Sequence, residues 1–282
     1  MLTIKQIKTD MRFNHEVLGL IEVLKGIASA QFRHMQAKRE KSLRFQKTLD
    51  DFFGMVDLLK SGHPFLEENS SLPTVIIGVT SDEGFIGDLN KQIFNNIFEL
   101  IKPEDEIIIL GDRGKHFLEE LERPFLYFPG VGEDIDYSQA EDLRDYLVKQ
   151  YLDKKRWGKV LIVYPEFLSF AAQEVRTKQL LPYAGKKAGL SLEKLSFIRD
   201  IIVEPSSESI IDYLIRVWLL EEIHNIFWDS KLSEWAARVI HLESSSQDLK
   251  RKAGQLEFSY FRALHEVSDK NIREIFASRL MK

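Results

Sequence analysis

A glycine-containing loop at residues 81–90 is the stretch whose residue types come closest to supporting chemistry. Its sequence, SDEGFIGDLN, follows a β-branched apolar run and precedes an amphipathic segment, so it joins a predicted strand to a predicted helix. Such loops bind phosphate when their amides converge at the helix N-terminus. However, the glycine spacing is G-x-x-G, no Lys-Ser/Thr follows, and Asp82, Glu83 and Asp88 would repel a phosphate. We favour a tight turn in which Asp88 caps the helix, with a phosphate- or nucleotide-binding enzyme as the alternative.

The other candidate sites show weaker signs of catalysis or ligand binding. The loop GDRGK at 111–115 is better charged for an anion, yet glycines after a strand are also typical of a turn. The seven histidines form no i, i+3 or i+4 pair, the chain has no cysteine, and the acidic loop 132–136 is typical of a solvated turn. No serine, histidine and carboxylate set is close enough in sequence to suggest a triad. We therefore expect no catalytic residue, no metal and no cofactor.

Proline placement indicates the elements that must position any site. All eight prolines lie between residues 64 and 205, which predicts long helices on both sides of a mixed central domain. The predicted domains are 1–62, 63–205 and 206–282. Strand and helix patterns alternate in the centre, which favours a mainly parallel sheet flanked by helices, with room for an added hairpin. The predicted strands are 74–80, 106–110, 125–128 and 159–164, with further extended pieces at 167–175 and 197–203; the helices are 89–102, 115–121 and 138–155.

Both flanks carry apolar residues at heptad spacing. The C-terminal series steps 4, 3, 4, 3, 4 through Leu249, Ala253, Leu256, Tyr260, Ala263 and Val267. The N-terminal series runs through Ile7, Met11, Leu18, Ile21, Ala28, Phe32 and Met35, with Asn14 and Lys25 as polar intrusions. We expect an antiparallel pair in which each flank covers the other and the longer C-terminal helix projects, from about residue 260. The alternative is that both helices simply pack on the α/β domain.

The charge distribution indicates which kinds of partner the chain could bind. The formal net charge is −5, so composition gives no nucleic-acid signal. Residues 25–47 are strongly basic, whereas acidic residues outnumber basic ones in the centre. An acidic protein surface is therefore a reasonable partner for the N-terminal helix. The N-terminus has no apolar signal region and no stretch is apolar enough to cross a membrane, so we expect neither a signal peptide nor a membrane span.

Three segments carry a family resemblance. The first is the 81–90 loop itself. The second combines EPS at 204–206, IDYL at 211–214 and SEWAAR at 233–238; the third is LKGIA at 24–28 with FRHMQ at 32–36. With these motifs the chain resembles, over essentially its whole length, the gamma subunit of F-type ATP synthases, the rotating central stalk. The matching loop positions are Ser81, Asp82, Gly84, Gly87 and Asn90.

The resemblance implies a fold and a role. The fold would be α/β, an antiparallel coiled coil of the terminal helices plus a Rossmann-like central domain. The protein would be a non-catalytic rotor on the cytoplasmic side of a membrane, coupling ion-driven rotation to conformational change in a hexamer of nucleotide-binding alpha and beta subunits. A small epsilon-like stalk subunit and a membrane ring of c subunits would be further partners, and nucleic acid would not. Head contacts are implied at Lys25, Ile27, Ala28, Arg33, Ser233, Glu234, Arg238, Tyr260, Arg262 and Glu274.

Several positions depart from the family pattern. Glu83 stands where the family usually has arginine, Asp88 where it has glycine, and Trp235 where it has histidine. The pairs at 264–265 and 268–269 also differ from the family pattern. An F-like motor co-opted for work other than ATP synthesis is therefore an alternative to an ATP synthase.

Overall fold

The computed structural model describes residues 3–56, 63–183 and 206–280, except for the side chains of residues 40–56, Ser207 and Leu280. The chain divides into two compact units. Residues 1–30 and 238–282 form the helical unit, and residues 31–237 form the α/β unit. No helix in the described ranges is both long and apolar enough to cross a membrane.

A five-stranded sheet organises the α/β unit, with strand order β3-β2-β1-β4-β5. Its strands are β1 (Thr74–Val79), β2 (Glu106–Leu110), β3 (Leu126–Phe128), β4 (Lys159–Ser169) and β5 (Ala172–Leu181). The first four are parallel, and β5 is antiparallel to β4. The predicted parallel sheet with a terminal hairpin is therefore confirmed. Its β1 and β2 are almost wholly buried and apolar, as strands covered on both faces must be.

The helices of the α/β unit follow the predicted order. They are α2 (Leu89–Leu100), α3 (Asp112–Glu120) and α4 (Tyr137–Val148), with α4 continuing as a π-helical turn at Lys149–Asp153. One apolar cluster holds α2 against the sheet through Ile93, Phe94 and Ile97. A larger cluster joins α4 and the N-terminal half of the last helix to the sheet. The core therefore positions the loops at the carboxyl ends of β1 and β2.

Two long helices begin and end the chain. They are α1 (Ile4–Val56) and α5 (Ser207–Leu280). Within the helical unit they run antiparallel, because Lys25 lies beside Glu243 while Lys8 lies beside Tyr260. The predicted antiparallel pair is thus present, and Ile7, Ile21 and Ala28 are buried as the heptad series requires. The C-terminal series is only partly covered, and its last residue, Val267, is exposed, so its predicted place in the seam is wrong.

One predicted element differs from the structure. The segment 167–175 is not one extended piece, because β4 ends at Ser169 and β5 begins at Ala172. The residues at the turn, LSFAA at 168–172, include no glycine, proline, asparagine or aspartate, so the usual turn residues gave no signal of the reversal. The predicted strand at 197–203 lies outside the described residues. The predicted domain boundaries at 62/63 and 205/206 border undescribed segments, and that three-part division stays a prediction.

Candidate partner-binding surfaces

The 81–90 loop is closed by hydrogen bonds between its own ends. The Ser81 amide donates to Asn90 Oδ1 at 3.2 Å, and Asn90 Nδ2 donates to Ser81 Oγ at 2.9 Å. Ser81 Oγ donates to the Glu83 carbonyl at 2.7 Å. Gly87 has a φ of +61°, in the left-handed region that glycine enters without steric cost. The Ser81 amide is therefore used inside the turn instead of being offered to a phosphate.

Asp82 links this loop to the neighbouring strand ends. Its Oδ1 accepts a hydrogen bond from the amide of Asp112, the first residue of α3, at 3.0 Å. Asp112 Oδ1 accepts one from the Tyr127 hydroxyl at 2.7 Å, which raises the pKa of Tyr127 to about 12. A Cβ on Gly130 would lie 2.2 Å from Asp82 Oδ1, so only glycine allows this approach. Asp82 thus ties together the segments that follow β1, β2 and β3.

The surroundings of the loop fit a structural role. Asp88 stands at the N-cap position of α2, but its side chain makes no cap hydrogen bond, so the expected capping interaction is wrong. The nearby cavity, lined in part by Thr80, Ser81, Asn90 and Ser230, has a volume of about 10 Å³. That is room for about one water molecule, far below the several hundred Å³ typical of a nucleotide-sized ligand. The geometry therefore favours the tight turn over the phosphate-binding alternative.

The N-terminal contact candidates divide between the surface and the interior. Lys25 Nζ lies 2.6 Å from Glu22 Oε2 and 2.9 Å from Glu243 Oε2. The hydrogen bonds to these carboxylates, Glu22 first, raise the pKa of Lys25. Ile27 is exposed, Ala28 is buried, and Arg33 is exposed. Lys25 therefore cross-links α1 to α5, and Ile27 presents apolar surface.

The candidates near the middle of α5 are buried. Ser233 is fully buried and its hydroxyl donates to the Pro165 carbonyl at 3.2 Å. Glu234 pairs with Lys231 at 3.2 Å inside the α/β unit. Arg238, at the start of the α5 part of the helical unit, is also buried. In this conformation Ser233 and Glu234 make contacts within the α/β unit, and contact of any of the three residues with a head stays a prediction.

The C-terminal candidates lie along an exposed helix. Lys8 Nζ lies 5.4 Å from the centre of the half-buried Tyr260 ring. Arg262 and Glu274 are exposed and pair within the helix, with Glu266 at 3.2 Å and Lys270 at 3.9 Å. Every described side chain from 264 to 279 is exposed. The structure thus brings Tyr260 against α1 but leaves Arg262 and Glu274 on open helix surface.

Exposed apolar residues form two stripes on the long helices. The stripe on α1 was missed by the sequence reasoning, whereas the stripe on α5 lies mostly in the segment that was expected to project. The stripe on α1 has Phe13, Leu20, Val23 and Ile27 exposed by half or more. Their spacing of 7, 3 and 4 lies one residue before the buried series, and this could have been read as a second seam. The α5 stripe is longer and consists of Phe258, Phe261, Leu264, Val267, Ile272, Ile275 and Phe276. Exposed apolar surface on this scale marks a binding surface.

The fold and these stripes define a class of protein. It is a Rossmann-like α/β unit joined to paired terminal helices that bury one apolar seam and expose others. In the described ranges no group of three or more acidic, histidine or cysteine side chains could hold a metal. The family model described as ATP synthase matches residues 3–279, so the chain belongs to the ATP synthase family.

Individual relatives agree with this assignment. The ATP synthase gamma chain of Chlorobium phaeobacteroides is 27% identical, covering 98% of this chain and 97% of the relative. That of Halothermothrix orenii is 25% identical over 98% of this chain and 97% of its own. Among solved structures, a chain of the Euglena gracilis mitochondrial ATP synthase, OSCP/F1/c-ring, matches with a TM-score of 0.71 at 15% identity, covering 98% and 93%. A chain of the Tetrahymena thermophila central stalk/c-ring matches at 0.60 and 19%, covering 80% and 99%. The predicted fold class and family resemblance are confirmed.

Proposed function

We propose that this chain is the central-stalk rotor subunit of a rotary F-type ATPase and is not itself catalytic. Its shaft would turn inside a hexamer of alternating alpha and beta subunits, coupling ion-driven rotation to conformational change in their nucleotide sites. The observation that carries the proposal is the pair of exposed apolar stripes on helices whose mutual seam is already buried. A helix pair with its own seam covered has no internal use for further apolar faces.

The named relatives support the same role. They are gamma chains, and this chain covers nearly their full length. The surface of a rotor is asymmetric, so as it turns it favours a different conformation in each neighbouring subunit in succession. Such a rotor needs no active site of its own. By the same relationship we propose a small epsilon-like stalk subunit and a c-subunit ring as partners, and a peripheral location on the cytoplasmic side of a membrane.

Reconstitution tests the proposal. The purified chain is mixed with the alpha and beta subunits of its source cell, and binding and ATP hydrolysis are measured. We expect a stable complex whose ATPase depends on the chain, with no ATPase from the chain alone. No binding under conditions where a known gamma chain binds its own head would refute the proposal.

Surface variants locate the contact. Leu20→Ser combined with Val23→Ser removes exposed apolar area from the α1 stripe and is expected to weaken head binding at least tenfold, because each buried aliphatic side chain contributes about 1.5–3 kcal/mol. Leu121→Ser, at an equally exposed apolar site of the α/β unit, is the matched control. Equal affinity for all three proteins would show that the stripe does not face the head.

A co-opted F-like motor is the second candidate. The loop positions Glu83 and Asp88, which depart from the family pattern, are both exposed, so the charge difference would be presented to a partner. Mass spectrometry of the native complex separates the candidates. An ATP synthase would contain a membrane ring of c subunits, whereas a co-opted motor would contain subunits foreign to ATP synthases.

A further inference from the structure

A polar cluster interrupts the apolar seam in the middle of the helical unit. Ser246 of α5 is fully buried, and its hydroxyl donates to Glu22 Oε1 of α1 at 2.7 Å. Lys250 Nζ lies 2.8 Å from the same oxygen, and Lys25 Nζ lies 2.9 Å from Glu243 Oε2. Each of these two α1 charges therefore meets an opposite charge on α5.

The apolar seam by itself permits more than one alignment of the two helices. Its positions repeat every seven residues, so sliding α5 by one heptad along α1 brings seam positions back opposite seam positions. At a rise of 1.5 Å per residue this slide is about 10 Å, and it would move the α5 stripe by that distance along the α1 stripe. Both helices also continue into the α/β unit, so anchorage there is the alternative means of fixing their alignment.

The charges oppose a slide of one heptad in either direction. In one direction Lys25 would face Lys250 instead of Glu243, and Glu22 would face Glu257 instead of Lys250. In the other direction Glu22 would face Glu243. Like charges that face each other destabilise a helix pair, whereas opposite charges select its partner and orientation. Only the observed alignment gives both α1 residues an opposite charge on α5.

The buried hydroxyl adds a second criterion that favours the same alignment. A slide of one heptad replaces Ser246 by Ala253 in one direction and by Val239 in the other. Neither of these side chains can donate a hydrogen bond, so Glu22 would lose its buried donor. The polar contacts therefore agree on one alignment, which the apolar residues alone leave open.

We propose that Glu22 and Lys25 set the register of the helix pair, and so hold the exposed stripes of α1 and α5 at one axial offset. Both are positioning residues, because they act through the alignment that they impose. The register itself does not depend on the proposed function, although its use by a partner that contacts both stripes does.

The test is cross-linking in the full-length chain, which has no cysteine of its own. Lys8→Cys combined with Tyr260→Cys forms the native pair, since Lys8 Nζ lies 5.4 Å from the centre of the Tyr260 ring. Lys8→Cys combined with Ala253→Cys or with Val267→Cys forms the two slid pairs, each one heptad away. A short bifunctional thiol reagent joins cysteines that face each other, and the yield of intramolecular product is measured. We expect the native pair to give about ten times the yield of either slid pair.

Charge inversion on α1 should change the register. With Glu22→Lys and Lys25→Glu together, the observed alignment sets lysine against Lys250 and glutamate against Glu243. A slide of one heptad sets the same residues against Glu257 and Lys250, which attract them. The ratio of the native product to the product with position 267 should therefore fall at least about tenfold. Adding Glu243→Lys and Lys250→Glu restores the attractions of the observed alignment and should restore the native product.

A matched variant separates register from general loosening of the helix pair. Arg12→Glu with Glu16→Arg inverts an exposed pair within α1, whose atoms are 3.8 Å apart, and should leave the native product dominant. If the native product stays dominant after inversion of Glu22 and Lys25, anchorage in the α/β unit sets the register and the proposal is overturned. Failure of the four substitutions to restore it, or loss of all three products on inversion, would overturn the proposal as well.

Discussion

At the scale of single residues, side chains in the 81–90 loop form hydrogen bonds within the protein that stabilise the fold, and the geometry does not favour a ligand there. Ser81 and Asn90 bond to each other across the turn, and Asp82 bonds to the next strand's loop. Asp88 was predicted from the sequence to cap α2, but its side chain makes no cap hydrogen bond. The importance of each loop residue is therefore set by the hydrogen bonds it makes.

Asn90 and Asp88 should differ in their effect on stability. Asn90→Ala leaves the Ser81 amide without its acceptor and removes one of the two hydrogen bonds of the Ser81 hydroxyl, so it is expected to lower the free energy of unfolding by about 1–3 kcal/mol. Asp88→Ala, two positions earlier on the same loop, is expected to change it by less than about 0.5 kcal/mol. Urea denaturation of both variants measures the difference. Equal losses would show that the Asn90 bonds do not hold the turn.

At the scale of elements, the two long helices are joined by charge as well as by the apolar seam. Glu22 lies 2.8 Å from Lys250 Nζ and 2.6 Å from Lys25 Nζ, and it accepts a hydrogen bond from Ser246 at 2.7 Å. These bonds, that to Lys25 first, lower the pKa of Glu22 to about 2. Because it receives three donors, Glu22 prefers its ionised form in the folded helix pair.

The helical unit should therefore weaken in acid. A carboxylate with a lowered folded-state pKa contributes stability above its unfolded value of about 4.5, and loses it as the pH falls toward 2. Hydrogen exchange of residues 14–28 should show less protection for Glu22→Gln than for the unmodified chain at pH 7, and the difference should disappear near pH 2. The control is Glu16→Gln, whose exposed partner Arg12 is 3.8 Å away. A difference that persists at low pH would contradict the assignment.

Three helix glycines offer a second test at this scale. An added Cβ at Gly19, Gly26 or Gly254 would have no atom within 4 Å, so packing in the described part of the chain does not require glycine at these positions. Alanine at each position is expected to stabilise the helix by about 0.5–1 kcal/mol. Gly158→Ala is the contrasting variant, since its Cβ would lie 1.9 Å from the Asn69 carbonyl oxygen, and it should destabilise. Thermal unfolding distinguishes the two classes.

If the helix glycines serve a partner, their substitution has a second effect. The stabilised Gly19→Ala and Gly26→Ala variants should bind the head less well, because the added methyl groups hold the partner away from the α1 stripe. Higher stability together with unchanged head affinity would mean that the glycines are not there for close approach.

At the scale of the whole molecule, stability and function depend on different parts of the chain. The α/β unit contains most of the buried core, whereas described side chains from 264 to 279 are all exposed. Exposed helical residues add little to global stability because their apolar surface is not removed from water. We therefore expect the end of α5 to contribute to partner binding and little to stability.

Deletion of residues 262–282 tests this separation. The shortened chain should unfold within about 0.5 kcal/mol of the full chain, because no buried core is removed. Its complex with the head should show reduced ATPase, since most of the α5 stripe is absent. A large loss of stability would show that the deleted segment packs within the chain.

The sequence by itself determined the order of elements and the buried seam. Buried strands such as Glu106–Leu110 must be apolar, and paired helices must repeat every 3.5 residues, so both patterns are visible without coordinates. The family relationship also followed from local motifs. The hairpin turn after Ser169 was not visible, because residues 168–172 include no glycine, proline, asparagine or aspartate that would signal a reversal.

Only the tertiary structure decided which residues face inward and which charges meet. Ser233 and Glu234 belong to a motif with an implied head contact, yet the α/β unit buries both side chains. Arg39 and Asp229 are nearly two hundred positions apart in sequence and become partners only when α1 and α5 meet. Sequence periodicity is a local property, whereas burial and ion pairing depend on distances between segments that no local pattern specifies.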